Sequence, residues 1–209
     1  MASFTIVGTG AGTEQYMIPL AVNEIARADV LIGGERNLRP WLGAEDKKFF
    51  AIKSSLGEIV ELINSYYAKE KVVVLVSGDP GFYSLLNFLS KHFPRDEIKV
   101  IPGISSVQIA FAKLSLPWQD AVLLNLHGRD LSILDPFIQH PKIALLTDPV
   151  NNPGVIYDYF YLNGRNRGVI YICTKLGYPD EKIKAIKING CRLEELETNE
   201  PTVMVITNE

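Results

Sequence analysis

Residues 77–82, Ser-Gly-Asp-Pro-Gly-Phe, set one carboxylate, Asp79, between Gly78 and the pair Pro80-Gly81, directly after the apolar run 72–76. The carboxyl end of a strand is where α/β sheets bind ligands, and glycine lets a backbone approach one closely. The same residues also suit a plain strand-to-helix turn, so the stretch alone leaves both readings open. Two further clusters share its grammar. Residues 101–108 (IPGISSVQ) place a Pro-Gly turn after a strand and the hydroxyls of Ser105 and Ser106 at a helix start. There the serines can cap the helix, or donate to a bound carboxylate or ribose near its positive end. Residues 125–130 (NLHGRD) end a strand in His127 and follow it, across Gly128, with Arg129. Histidine and arginine two apart can face one pocket, and arginine is the natural partner of carboxylates. A capped turn with a solvated arginine fits the same letters. Arg36 and Arg39 (33–41, GGERNLRPW) stand near another strand end, in a stretch that also suits a solvated face.

Other chemistries are absent from the pattern. Gly8, Gly10 and Gly12 follow the first strand, but Thr13 occupies the third glycine position of a dinucleotide fingerprint. No Gly-Lys-Ser/Thr follows, so the stretch is not a P-loop. No Ser-His-Asp or Cys-His set assembles, no metal-ligand spacing is present, and His92 and His140 sit beside prolines in loops.

These clusters need strands and helices to hold them. Strand-like runs at 3–8, 28–33, 47–52, 71–76 and 97–103 alternate with helical patterns at 14–28, 55–69 and after the Gly-Asp-Pro turn. There Phe82, Leu85, Leu86 and Leu89 repeat at i, i+3, i+4, i+7. Such alternation predicts a mostly parallel sheet with helices on its faces. A helix over 104–115 follows, and Pro117 marks a boundary. Beyond it, strands at 121–127, 142–148, 167–175, 181–188 and 202–207 come with two early helices, 131–139 and 152–163. The late strands follow each other closely, which predicts a mixed sheet with antiparallel neighbours. The expected architecture is two α/β domains, 1–115 and 116–209, with a ligand cleft between them, since pockets favour domain interfaces.

The chain of 209 residues is 47% hydrophobic and 22% charged, enough for a sizeable core. Its net charge of −3 predicts no general attraction to nucleic acid or anionic membranes, so an anionic ligand must meet locally placed arginines. No apolar run reaches membrane-spanning length and no leader precedes the first strand, which predicts a cytoplasmic protein. Its two cysteines, Cys173 and Cys191, read as inert reduced thiols.

Taken together, residues 7–12 (VGTGAG), 77–84 (SGDPGFYS) and 102–106 (PGISS) resemble the ordered signature of the tetrapyrrole methylase family. Residues 33–41, 102–121, 126–130 (LHGRD), 145–156 (LLTDPVNNPGVI) and 174–183 resemble its cobalt-precorrin-7 C5-methyltransferase branch. Departures are Ala11, where many relatives carry proline, and Asn37, where close relatives often carry histidine. The resemblance implies two α/β domains, usually in a homodimer, with S-adenosylmethionine as methyl donor in the cleft. It assigns Gly78, Asp79, Pro80, Gly81 and Phe82 to the cofactor loop and Ser105 and Ser106 to a second cofactor contact. By position it adds segment 145–148, Thr147 in particular, and Cys173-Thr174 to the adenosine pocket.

The implied reaction is attack of an electron-rich tetrapyrrole carbon on the sulfonium methyl, with cobalt belonging to the substrate and no protein-bound metal. Alignment of two partners then replaces a nucleophilic triad. His127 is the candidate for moving a proton, and Arg129 and Arg36 for holding substrate carboxylates. The absence of a second methyltransferase domain implies a separate C15-methylating, decarboxylating enzyme and the cobalt-first, anaerobic route to cobalamin. The rival expectations are a family methylase with another precorrin carbon or a macromolecular target, and a non-catalytic S-adenosylmethionine-binding module.

Overall fold

The computed structural model describes residues 3–52, 55–189 and 200–208. Its backbone groups into two units that divide between Ser105 and Ser106. Pro117 had suggested a boundary at 115/116; the segment that differs is the helix 106–114, which the structure groups with the second unit.

In the first unit, β1 (Phe4–Gly8), β2 (Val30–Gly33), β3 (Lys48–Ala51), β4 (Val72–Val76) and β5 (Ile98–Ile101) form one sheet of order β3-β2-β4-β1-β5. All of its pairings are parallel, with Ile6 opposite both Val74 and Val100. Each residue of the three inner strands is buried, which is why they read as unbroken apolar runs, whereas the edges β3 and β5 are partly exposed. Alternate side chains serve opposite faces. Phe4, Ile6, Val30, Ile32, Val72 and Val74 pack under α3 (Leu56–Tyr66) through Ile59 and Ile63, and under α4 (Leu86–Leu89) through Leu89. Val7, Leu31, Val73 and Leu75 pack under α1 (Pro19–Ala26) and α2 (Glu35–Leu38) through Ala21, Ile25 and Leu38. Truncating a side chain such as Ile59, fully buried, costs about 2–5 kcal/mol.

Several expected helices are shorter than their periodicity suggested. Residues 14–16 form a 3-10 turn and α1 starts only at Pro19, whose fixed φ suits a first helical position. After β4 the helix is confined to residues 86–89, because Tyr83 takes a left-handed backbone (φ 48°) that no helix tolerates.

In the second unit, β6 (Val122–Asn125), β7 (Lys142–Leu146), β8 (Val169–Thr174), β9 (Lys182–Lys187) and β10 (Thr202–Thr207) form a sheet of order β6-β7-β10-β8-β9. Only β6 and β7 pair in parallel; the other neighbours are antiparallel, giving the mixed sheet expected. One face carries α5 (Ser106–Leu114), packed on β7 and β10. The other buries Ile143, Leu145, Ile170, Ile172, Met204 and Ile206 under Leu134, Ile156, Tyr157 and Phe160. Those last residues come from the 3-10 segment Leu131–Phe137, which contains Pro136, and from α6 (Pro153–Leu162).

Candidate active site

In the first unit the loops leaving β1, β4 and β5 meet, because β1 lies between the other two strands. They are knotted by backbone. Gly10 N–H donates to the Gly78 carbonyl (3.3 Å) and Gly78 N–H returns a bond to Gly10 (2.9 Å). Ala11 N–H donates to Ile104 O (2.9 Å), while the N–H and Oγ1 of Thr9 both donate to Val76 O (2.8 and 3.0 Å). The approach is so close that a Cβ on Gly8 would lie 2.5 Å from Gly78 O and 2.7 Å from Gly103 N. Gly10 and Gly78 both take positive φ, 75° and 67°, which glycine alone adopts at little cost.

Asp79 fastens this knot. Its Oδ1 accepts the N–H of Gly81 (2.8 Å) and its Oδ2 accepts the N–H of Gly103 (3.1 Å), so one carboxylate joins the loop after β4 to the loop after β5. Pro80 is buried; Gly81 is exposed, and Phe82 is half-buried, edge to face with Tyr83 at 4.9 Å. Ser105 is buried, its Cα 3.7 Å from where a Cβ on Gly78 would stand, and Ser106 is half-buried. From α2, Arg36 Nη2 donates to Ser77 Oγ (2.7 Å), and the Asn37 side-chain amide lies 3.4 Å from Thr9 Oγ1.

In the second unit, β6 runs into a four-residue turn, 126–129, closed by Arg129 N–H donating to Leu126 O (3.1 Å). Gly128 takes φ 64°, as the third residue of such turns often must. The side chains of His127 and Arg129 are exposed on the turn. Asp148 lies behind it, accepting the N–H of Gly128 on Oδ2 (2.8 Å) and those of Val150 and Asn151 on Oδ1 (2.9 and 2.6 Å). Burial pushes this carboxyl up, but the three N–H bonds and nearby His127 outweigh it and hold it below the usual carboxylate range.

The sequence profile of the Tetrapyrrole (Corrin/Porphyrin) Methylases matches residues 3–189. The chain belongs to this family. It is 35% identical to the probable cobalt-precorrin-7 C(5)-methyltransferase of Methanocaldococcus jannaschii, over 85% of this chain and 86% of that protein. It is 32% identical to the cobalt-precorrin-7 C(5)-methyltransferase of Salmonella typhimurium, over 89% and 91%. Among solved structures it shares its fold with the uroporphyrin-III C-methyl transferase of Thermus thermophilus, a protein captured with S-adenyl homocysteine. That match has a TM-score of 0.79 at 19% identity, over 98% of this chain and 97% of the other.

Mapped onto this tetrapyrrole methylase, the sequence-selected residues fall into two groups. Gly78, Asp79, Pro80, Gly81, Phe82 and Ser105 share one loop assembly in the first unit, and Arg36 touches that assembly through Ser77. His127 and Arg129 share one turn in the second unit, and Thr147 immediately precedes the aspartate that holds it. Thr147 donates through N–H and Oγ1 to Thr202 O (3.3 and 3.1 Å). Cys173 lies in the row Cys173–Val203–Leu146 across β8, β10 and β7 and is fully buried. Its thiol is pushed up to about 12 by burial and by Glu181. Cys191 lies outside the described residues.

Among the described residues no group of three His, Cys, Asp or Glu side chains could hold a metal ion, and no helix is long and apolar enough to cross a membrane. The sequence reading missed Thr9 and Asn151, and it placed Asp148 by position in the adenosine pocket without seeing its hold on the 126–129 turn. For Asp148 and Asn151 the only signal of that hold was a run of turn-forming letters, Asp-Pro-Val-Asn-Asn at 148–152.

Proposed function

We propose that this chain is an S-adenosylmethionine-dependent C-methyltransferase that methylates C5 of cobalt-precorrin-7 in cobalamin biosynthesis. The observation that carries the reading is the strand-end assembly of the first unit, in which a Gly-Asp-Pro-Gly loop is pinned open by its own aspartate. That assembly suits the cofactor. Gly81 is exposed and a Cβ there would meet only Asp79 Oδ1 (3.2 Å) and a Leu86 methyl (3.9 Å), so the loop presents backbone without bulk.

Gly78, Asp79, Gly81 and Phe82, with Ser105 and Ser106, would hold S-adenosylmethionine, with Thr147 and Cys173 by position on the adenosine side. When bound, the cofactor supplies a methyl group already activated on a sulfonium, which leaves the protein mainly to align and to hold. Arg129 and Arg36 bind substrate acetates and propionates by charge-assisted pairs. An imidazole nitrogen of His127 takes or returns the proton that sets the reactive tautomer of the macrocycle. We read the enzyme as a cytoplasmic homodimer with the substrate's cobalt as its only metal. Methylation at C15 and decarboxylation would fall to a separate enzyme.

Incubation with methyl-labelled S-adenosylmethionine and a panel of precorrin and cobalt-precorrin intermediates, followed by NMR of the product, tests this. Label at C5 of cobalt-precorrin-7 is expected. Label at another carbon, or cofactor binding without any methyl transfer, would overturn it.

A further inference from the structure

An exposed turn usually leaves its backbone N–H groups to water. The turn at 126–129 does not. The N–H of His127 is taken by Asn125 Oδ1 (3.0 Å), that of Gly128 by Asp148 Oδ2 (2.8 Å) and that of Arg129 by Leu126 O (3.1 Å). Its carbonyls are held as well. Asn151, 7% exposed, donates from Nδ2 to Leu126 O (2.8 Å) and to Arg129 O (2.9 Å), the first and last carbonyls of the turn. Asn151 is itself seated by Asp148, whose Oδ1 accepts its N–H. The following residue, Asn152, caps α6 by accepting from Gly154 and Val155 (2.9 and 3.1 Å), so the clamp is anchored on a helix start.

We infer that Asp148 and Asn151 are positioning residues for tetrapyrrole recognition: they fix the backbone of the 126–129 turn so that His127 and Arg129 meet the substrate in a preset geometry. The inference rests on the functional reading above. Asp148 Oδ2 and Asn151 Nδ2 are committed to turn backbone, and Asp148 Oδ1 to the N–H groups of Val150 and Asn151, so these atoms hold the protein's own chain. What they contribute is the loss of freedom of two exposed side chains' attachment points, which raises the effective alignment of substrate. Gly128 fits this account. Nothing lies within 4 Å of where its Cβ would be, so the glycine serves the left-handed backbone of the turn and not the packing of a neighbour.

The clamp is tested by Asn151→Leu, which keeps the branched shape of the side chain and removes both donors, and by Gly128→Ala, which strains the same turn without a clash. Each is compared with wild type for three quantities: kinetics with the tetrapyrrole that wild type methylates, S-adenosylmethionine affinity by calorimetry, and amide exchange at Gly128. Expected are faster exchange at Gly128 in Asn151→Leu, and in both variants kcat/KM for the tetrapyrrole lower by on the order of 10- to 100-fold. Cofactor affinity stays within about twofold, which a general loss of folding would not spare. Should Asn151→Leu fail to fold, Gly128→Ala carries the same expectation alone. Wild-type kinetics in a folded variant, or equal losses toward cofactor and tetrapyrrole, would overturn the inference while leaving the function standing. A wild type that binds cofactor but methylates no tetrapyrrole would overturn the functional reading, and the inference with it.

Discussion

The carboxylate of Asp79 accepts the backbone N–H of Gly103, 24 residues later in the chain, at 3.1 Å, and in doing so ties two strand-end loops together. Its other oxygen takes Gly81 N–H, which faces solvent and can turn to water instead. The Gly103 bond is part-buried and has no such substitute. Asp79→Ala is therefore expected to lower stability by roughly 1–3 kcal/mol, the cost of one stranded donor. S-adenosylmethionine affinity should fall with it, because the loop loses its fixed opening. Asp79→Asn rescues little, since its amide nitrogen would face an N–H donor on one side or the other. Denaturant midpoints and calorimetry on both variants check this; an Asp79→Asn protein with wild-type values in both would remove the fastening role.

Glycines around the knot divide by what surrounds them. A Cβ on Gly103 would overlap Gly78 O and press on the backbone of Gly8, and one on Gly8 meets the same group of atoms. Backbone cannot swing aside as a flexible side chain can, so Gly8→Ala and Gly103→Ala are each expected to cost about 1–3 kcal/mol or more. Gly43→Ala, with nothing within 4 Å, serves as the neutral control. Gly81→Leu is the informative contrast: its site is exposed, so circular dichroism and melting should be close to wild type while S-adenosylmethionine binding is lost. Retained affinity in that folded variant would take the cofactor away from this loop.

Much of this was readable from local letters, and what was not has a physical reason. The inner strands β1, β2 and β4 announce themselves because burial on both faces demands apolar residues at every position. The strand-end glycines announce themselves because no other residue fits. The helix expected from Phe82 to Leu89 was overstated, since periodicity says nothing of the left-handed backbone at Tyr83. The segment 131–139 keeps its buried Leu134 but winds as a 3-10 helix around Pro136. The clamp was the least legible part. Asp148 reaches Gly128 across 20 residues and Asn151 reaches Leu126 across 25, and such pairings leave no period in a sequence.

The thiol of Cys173 should be inert in the folded protein. Burial removes the solvation a thiolate needs, and nearby Glu181 opposes the same charge, so its pKa is pushed up to about 12. The thiolate is the reactive species. In a Cys191→Ser background, a thiol reagent at pH 8 should leave native protein unmodified and label it only after denaturation. Rapid native labelling would show that Cys173 is reached by solvent.

Asp148 makes a pH-dependent contribution whose sign is fixed by its bonds. Its folded pKa is lowered, so the stability it supplies is present above the ordinary carboxylate pKa of about 3.9 and is lost as pH falls through the lower folded value. Asp148→Asn removes that contribution at every pH. The variant should be less stable than wild type at pH 7, and the gap should close as pH drops below about 4. Urea midpoints for both proteins between pH 7 and 3 measure it. A gap that persists unchanged at pH 3 would mean that the charge is irrelevant to how Asp148 holds the turn.

His127 and Arg129 share a turn but should fail in different ways. The proposed substrate is a polyanion of acetates and propionates, while the chain carries a net charge of −3, so attraction must come from a few pre-placed cations and not from a diffuse field. Arg129 can pair with one carboxylate through two N–H groups, and losing a contact to a charged group costs about 1.5–3 kcal/mol. That is roughly ten- to a hundredfold in affinity, and Arg129→Ala should raise the tetrapyrrole KM by about that factor where KM reports binding. His127→Ala should instead lower kcat, because an imidazole that moves a proton acts on the chemical step. Both residues are assigned to the macrocycle and not to the cofactor, so S-adenosylmethionine affinity should change by no more than a small factor in either variant. Steady-state kinetics at saturating cofactor, with calorimetry for the cofactor itself, separate these outcomes. If either variant lost cofactor binding outright, the turn would belong to the cofactor, and the assignment of Arg129 to the macrocycle's carboxylates would fall with it.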